Sequence, residues 1–368
     1  MVTTLKKGNN MKYLLIISLL ASNIFAADMK AVRAAYDKQD FKEVIRLLKA
    51  GVKEGDIAAQ YNLGALYAQG DGVEQDYKEA ARLFTLAANK GDTEAQNNLA
   101  YFYFYGTGVE QNYNEAFRLY SLAASKGFAT AQYFLGTMYE NGFGVKKNDN
   151  EAFKFYTLGA NQHYPPAQFA LAFMYEKGIA TKVDDKEAIR LYTLAVKEGE
   201  PRAQYNLGNK YYTGDGLEQN YKEALRLFTL SAQQGFPPAQ SNLGIMYIEG
   251  QGVQQDENKA LELFTLAANQ ELPLGQSNLA YMYEIGSAVK QDYKEAFRLY
   301  TLSANQGYAA AQMKLGVFYL EGLGVKKNKV EAYNWWMKAA EQGDIDAKNN
   351  LKILCSENPL ACKKYPEI

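Results

Sequence analysis

Cysteine, histidine and proline are scarce in this 368-residue chain, with two, one and eight copies. The cysteines are Cys355 and Cys362, both near the C-terminus, so no disulfide framework staples the body of the chain. So late a pair in an exported chain reads as a disulfide that pins the chain end; two free thiols are the alternative. The single histidine, His163, stands before Tyr164-Pro165-Pro166 and reads as a surface residue, and no Cys/His group has metal-ligand spacing. Charge of either sign is not in excess. With 40 basic and 41 acidic side chains the net charge is −1, which leaves no electrostatic footprint for nucleic acid. The apolar run Tyr13 to Leu20 falls short of the roughly 20 residues that a membrane span needs.

That run has a different meaning. Lys6, Lys7 and Lys12 precede it, and Ala21-Ser22-Asn23-Ile24-Phe25-Ala26-Ala27 follows. A basic start, a short apolar stretch and a small-residue exit predict a signal peptide over 1–27, cleaved near Ala26 or Ala27. The mature chain is then periplasmic or secreted, with no stable membrane span. A retained anchor is the alternative reading, and Met11 is an alternative start.

What the sequence does contain is a period. Ala-Gln stands at 59, 95, 131, 167, 203, 239 and 311, with Gly275-Gln276 and Ala347-Lys348 in the remaining slots. The spacing is 36 throughout, without insertion or deletion. Eight full units run from Asp56 to Gly343, with a half unit at each end.

Each unit reads as two helices of about 13 residues, marginal alone in water. In the first, Leu63, Gly64 and Tyr67 share a face. The Tyr67 slot is Tyr in all eight units, and the Gly64 slot is always Gly or Ala. A glycine inside a helix costs about 1 kcal/mol against alanine, so this slot marks a close approach by another helix. The second helix starts at Tyr77 and carries Ala80, Leu83, Phe84 and Ala87 on one stripe. Glu79 and Arg82 can pair at i, i+3, and one unit swaps both signs, with Lys259 and Glu262. The ends are consistent with a stack. Phe41 to Leu48 is in register with Tyr77 to Phe84, behind a shorter helix near Met29 to Tyr36. Ala347 to Leu351 begins a first half with no second half behind it, and Lys352 replaces the small residue there. The predicted organisation is a signal peptide at 1–27, capping helices at 28–55, eight repeats at 56–343, and a capping helix and tail at 344–368.

These motifs resemble the Sel1-like repeat, a relative of the tetratricopeptide repeat. Ala-Gln-x-Asn-Leu-Gly-x-x-Tyr, Gly-x-Gly-Val, Glu-Ala-x-x-Leu-Phe/Tyr and Ala-Ala-x-x-Gly carry the likeness, and Glu331 to Gly343 is especially close to the usual form. The loop departs from pattern at Gly178-Ile179-Ala180-Thr181 and Gly286-Ser287-Ala288-Val289. The resemblance implies an all-α fold, an α/α solenoid forming a right-handed superhelix, with first helices lining its concave face. It also implies an adaptor for protein–protein assembly. Some cysteine-rich exported relatives are linked to β-lactam binding or weak hydrolysis, but the eight units here contain no cysteine.

Catalytic motifs do not fit. Gly70-Asp71-Gly72 links two helices, whereas a dinucleotide fingerprint follows a strand. Ser287-Ala288-Val289-Lys290 matches Ser-x-x-Lys, yet it lies in an interhelix loop, and no Ser-Asp-Asn or Lys-Thr-Gly follows. No catalytic residue, metal or cofactor is assigned. The expected partner is a protein or peptide, and the variable slots of the first helix are where it would sit. One stripe holds Tyr61, Tyr101, Tyr133, Phe169, Phe173, Tyr205 and Tyr281, with Phe104, Tyr212 and Ile245. It forms either an aromatic inner groove or a seam buried between repeats. A second ladder, Asn62, Asn98, Asn206, Asn242 and Asn278, could hold a peptide backbone or bond the adjacent repeat.

Overall fold

The structure is a computed structural model that describes residues 26–357 and Cys362. The predicted signal peptide lies outside the described residues up to position 25. Among the described residues there are 19 α-helices and no strand. The chain divides into two compact units, 1–191 and 192–368. Within each, consecutive helices pack as antiparallel pairs, stacked repeat on repeat in the manner of an α/α solenoid.

Local signals start and stop most of the helices. The second helices begin behind an Asp or Asn cap. Asp76 accepts from the backbone N–H of Glu79 at 3.0 Å, and Asn220 from that of Glu223 at 3.1 Å. First helices start in three ways, and those at Ala129 and Ala309 have neither a side-chain cap nor a proline. Asp56 and Asp92 cap with a side chain, whereas Pro165, Pro201, Pro237 and Pro273 open helices that have no side-chain cap. They end on a left-handed glycine such as Gly70, whose N–H donates to the Leu66 carbonyl at 2.8 Å. The irregular loops keep this geometry. Ala180 and Ala288 hold φ of 57° and 53°, near the 70° of Gly72.

The close approach at the Gly/Ala slot is made by the second helix of the same repeat. A Cβ on Gly208 would stand 2.8 Å from the Phe228 ring, and one on Gly244 2.6 Å from Phe264. Phe84, Tyr120, Tyr156 and Phe228 are all buried at this position, each burial contributing about 2 kcal/mol. Repeats then join through the Ala-Gln motif, whose alanine and glutamine are both buried. Gln96 Nε2 donates to the Ala88 carbonyl of the repeat before it at 3.2 Å, and Gln312 to that of Ala304 at 3.1 Å. The outer surface carries the Glu–Arg pairs, Arg82 to Glu79 at 2.7 Å, and the reversed pair Lys259 to Glu262 at 2.7 Å.

Both ends are closed by partial repeats. Val32, Val44 and Leu48 of helices Ala26–Asp37 and Phe41–Glu54 pack on Leu63, Leu66 and Leu83. At the other end, helix Ile345–Glu357 buries Ala347, Leu351 and Leu354 against Tyr333 and Trp336, while Lys352 faces solvent. Cys355 is bonded to Cys362, with Cα atoms 5.6 Å apart, and Cys362 is buried in that same cluster.

Candidate functional site

The variable stripe of the first helices is buried near the N-terminus and accessible further along. Tyr61 and Tyr101 are 4% and 6% exposed, and Phe104, Asn62 and Asn98 are buried as well. These five residues therefore offer no open surface. Their rings interlock: Tyr61 lies 5.8 Å from Phe84, and Tyr101 meets Tyr105 at 4.5 Å and Phe134 at 6.1 Å. The second and third repeats supply Phe102, Phe104 and Phe134, which pack with Tyr61 and Tyr101 in one buried cluster. Burial pushes the Tyr61 phenol far above its ordinary pKa and that of Tyr101 up to about 12.

The remaining aromatic candidates lie higher on the surface. Tyr133, Phe169 and Phe173 are half-buried in the first unit, as is Tyr205 in the second, and Tyr281 is 46% exposed. Tyr133 leans on Tyr156 and Tyr164 at 5.8 and 5.7 Å, and Tyr205 on Phe228 and Phe236 at 5.9 and 5.5 Å. One edge of each ring is thus fixed by packing. Polar groups stand among them. Tyr156 donates to Glu140 at 2.7 Å, and Lys314 bridges Glu284 at 2.9 Å while lying 5.4 Å over the Tyr281 ring.

The asparagine ladder is spent largely on the protein itself. Asn98 donates to the Tyr61 hydroxyl at 3.4 Å, Asn206 to the Tyr192 hydroxyl at 3.0 Å, and Asn242 to Asn209 Oδ1 at 2.8 Å. Asn62 turns back to the Ala58 carbonyl at 2.9 Å. Only Asn278, within this ladder, keeps a buried Nδ2 with no acceptor.

Two features escaped the sequence. Leu122, Leu158, Leu266 and Leu302 occupy one slot of the second helix that is Leu in seven units, yet they are 39–44% exposed. Strict repetition therefore does not always mean burial. Of these leucines only Leu302 lines the cavity of about 730 Å³ that it shares with Gln276, Leu279, Tyr283 and Arg298. The period alone gives no depth for a slot on the outer rim of a helix.

Chemistry is sparse. Ser287 sits in a loop with its hydroxyl donating to Glu257 at 2.6 Å, not at a helix start beside a lysine. His163 is exposed and takes a left-handed φ of 59°. No group of three His, Cys, Asp or Glu side chains that could hold a metal occurs among the described residues. Nor is any helix among them long and apolar enough to cross a membrane.

The Sel1 repeat matches eight consecutive segments: 57–92, 93–128, 129–164, 165–200, 201–236, 237–272, 273–308 and 309–344. The chain belongs to the Sel1 repeat family. Its Sel1 array is similar to c5321, a protective antigen of uropathogenic Escherichia coli strains displaying an SLR fold. Identity is 31%, over 86% of this chain and 68% of that one, with a TM-score of 0.72. A Sel1 repeat protein from Oxalobacter formigenes is 32% identical over 84% of this chain and 89% of its own, with a TM-score of 0.55. No curated protein matches the chain. Sel1 repeat proteins generally bind proteins, and this chain is a Sel1 repeat scaffold.

Proposed function

We propose that this Sel1 chain is an exported scaffold that holds a protein or peptide on the concave, first-helix face of its repeats. The observation that carries the reading is the accessibility of Tyr133, Phe169 and Phe173 in one unit and Tyr205 and Tyr281 in the other. Of the slots that repeat strictly on the first helix, the Ala-Gln, Leu63 and Gly64 positions are buried in the seam, and the Tyr67 position is half-buried. The slots that vary hold partly open aromatic rings, which combine apolar area with low entropy loss on binding. Export is supported by the basic and apolar pattern of 1–27 and by the Cys355–Cys362 bond, which suits an oxidising compartment. It is also supported by the E. coli relative's role as a protective antigen.

The test is affinity capture from the native cell envelope with the mature chain and with Tyr133→Ala/Phe169→Ala. A partner held by the first unit is lost from the double variant while its far-ultraviolet circular dichroism stays the same. Equal capture by both chains contradicts the reading. For export, sequencing the mature N-terminus gives a start at or beside Ala27; an intact Met1 or Met11 start contradicts it.

A further inference from the structure

One slot of the first helix is filled unevenly along the array. In repeats one, three and five it holds a tyrosine lying on the aromatic ring of the same repeat's second helix: Tyr61 on Phe84, Tyr133 on Tyr156 and Tyr205 on Phe228, at 5.8, 5.8 and 5.9 Å. In repeat one this tyrosine also serves the next repeat, because Asn98 Nδ2 donates to the Tyr61 hydroxyl. Repeat six has Ser241 at that slot. Asn278, the counterpart of Asn98, then has a buried Nδ2 with no acceptor, and Ser241 Oγ is buried and unpartnered too. Phe264, the ring that a tyrosine would meet, lines a cleft of about 120 Å³ with Ile245, Ile248, Tyr281 and Met282. Asn278 also borders it, and the exposed Glu249 stands at its rim.

A buried N–H without an acceptor costs about 1–3 kcal/mol. The group that relieves it must bring an oxygen acceptor next to apolar surface. An extended peptide does so, since its carbonyl and a neighbouring side chain leave the backbone in different directions. A carboxylate side chain fits poorly, because it meets an apolar wall and the negative Glu249, while Lys314, the cation over the cleft's Tyr281 ring, is already paired with Glu284. We propose that the cleft at Asn278 receives one apolar side chain of an extended peptide, and that the partly exposed Asn278 side chain turns its buried Nδ2 into the cleft to donate to the peptide's main-chain carbonyl. The inference deepens the first-helix reading above and rests on it.

The full mature chain, labelled at isoleucine methyl groups and side-chain amides, is titrated by nuclear magnetic resonance with two capped pentapeptides. They share a glycine–threonine frame and differ at the centre, leucine against aspartate. The leucine peptide shifts the Asn278 amide and the Ile245 and Ile248 methyls, and the aspartate peptide binds about tenfold more weakly or worse. Ser241→Tyr restores the ring and hydroxyl that repeat one carries, and it weakens the leucine peptide by about tenfold without lowering the melting temperature. Asn278→Leu weakens it similarly. Equal binding of the two peptides, unchanged binding in both variants, or no shift at millimolar peptide overturns the proposal. Tyr133 and Phe169 lie outside this cleft, so the two readings fail separately. A partner lost from the Tyr133→Ala/Phe169→Ala chain with no peptide shift rejects the cleft alone. A peptide shift with undiminished partner capture rejects the wider face alone.

Discussion

Gln162 donates its side-chain amide to Gln132 Oε1 at 2.7 Å, joining the end of a second helix to the start of its own repeat's first helix. The same bond links Gln234 to Gln204, Gln270 to Gln240, Gln306 to Gln276 and Gln342 to Gln312, at 2.8–2.9 Å. Repeats one and two have Lys90 and Lys126 instead, which reach the carbonyls of Gly55 and Gly91. There the Oε1 atoms of Gln60 and Gln96 are buried and unpartnered. Gln234 shows that one glutamine serves both roles, because it also reaches the Gly199 carbonyl at 2.9 Å. Lys126→Gln is therefore expected to raise stability by about 1 kcal/mol by satisfying a buried acceptor. A thermal or urea midpoint that falls, or stays put, counts against this.

His163 and Glu271 hold φ of 59° and 63° in the turn where other repeats place glycine. A Cβ at Gly127 or Gly235 in that turn would touch nothing within 4 Å, so the penalty there is backbone strain and not crowding. That strain is about 1–2 kcal/mol for an L-residue, partly offset by the freer unfolded chain of a glycine variant. His163→Gly should raise the melting temperature by a few degrees, on the scale of about 1 kcal/mol. A lower melting temperature would reject the strain argument.

Gly316 and Gly136 should answer differently to alanine. The Trp336 indole lies directly on Gly316 and is fixed by its own bond, Nε1 to the Met313 carbonyl at 3.0 Å. Tyr156 stands against Gly136, but Tyr120 and Tyr300 face Ala100 and Ala280 at the same slot in other repeats. Overpacking costs about 1–3 kcal/mol, against about 1 kcal/mol gained in helix propensity. Gly316→Ala should lower the melting temperature and Gly136→Ala should leave it nearly unchanged. The reverse order would show that the ring partner does not decide this slot.

Buried phenols make the fold sensitive to alkali. Burial pushes Tyr101 up to about 12, and Tyr120, Tyr156 and Tyr300 higher still, with Glu140 and Glu284 adding to the last two. Unfolded tyrosine ionises near ~10. Above that pH the unfolded chain has lost protons that the folded chain retains, so stability falls as pH rises. The stabilisation is complete below pH ~10 and lost from there upward. Melting curves from pH 8 to 11.5 should show a falling midpoint, and a fraction of the absorbance of the 29 tyrosinates should appear only on unfolding. Full tyrosinate absorbance in the still-folded chain over this range would contradict the burial.

Much of this was legible in the residues. The 36-residue register, the two helices per unit, the partial repeats at the ends and the outer Glu–Arg pairs follow from periodicity, which is a local signal. Depth is not local. Tyr61 and Tyr281 belong to the same variable face, yet one is sealed by Phe84 and the Phe102–Phe134 cluster while the other stands open. That difference depends on which rings the adjacent repeats bring. The glutamine bonds were visible as a conserved spacing of 30 between Gln132 and Gln162, but the Ala-Gln pair served only as a marker of the period. Ser241 matters only because of what Tyr61 does in repeat one, a comparison that needs the packing.

The central claim is that first-helix slots left open by the seam meet the partner. Photo-crosslinking tests it most directly, with benzoylphenylalanine placed at Phe173, at Tyr281, or at Arg226 on a second helix, in living cells. The account predicts a discrete protein adduct from position 173 or 281, absent from position 226. The same adduct from position 226, with none from the other two, would contradict it.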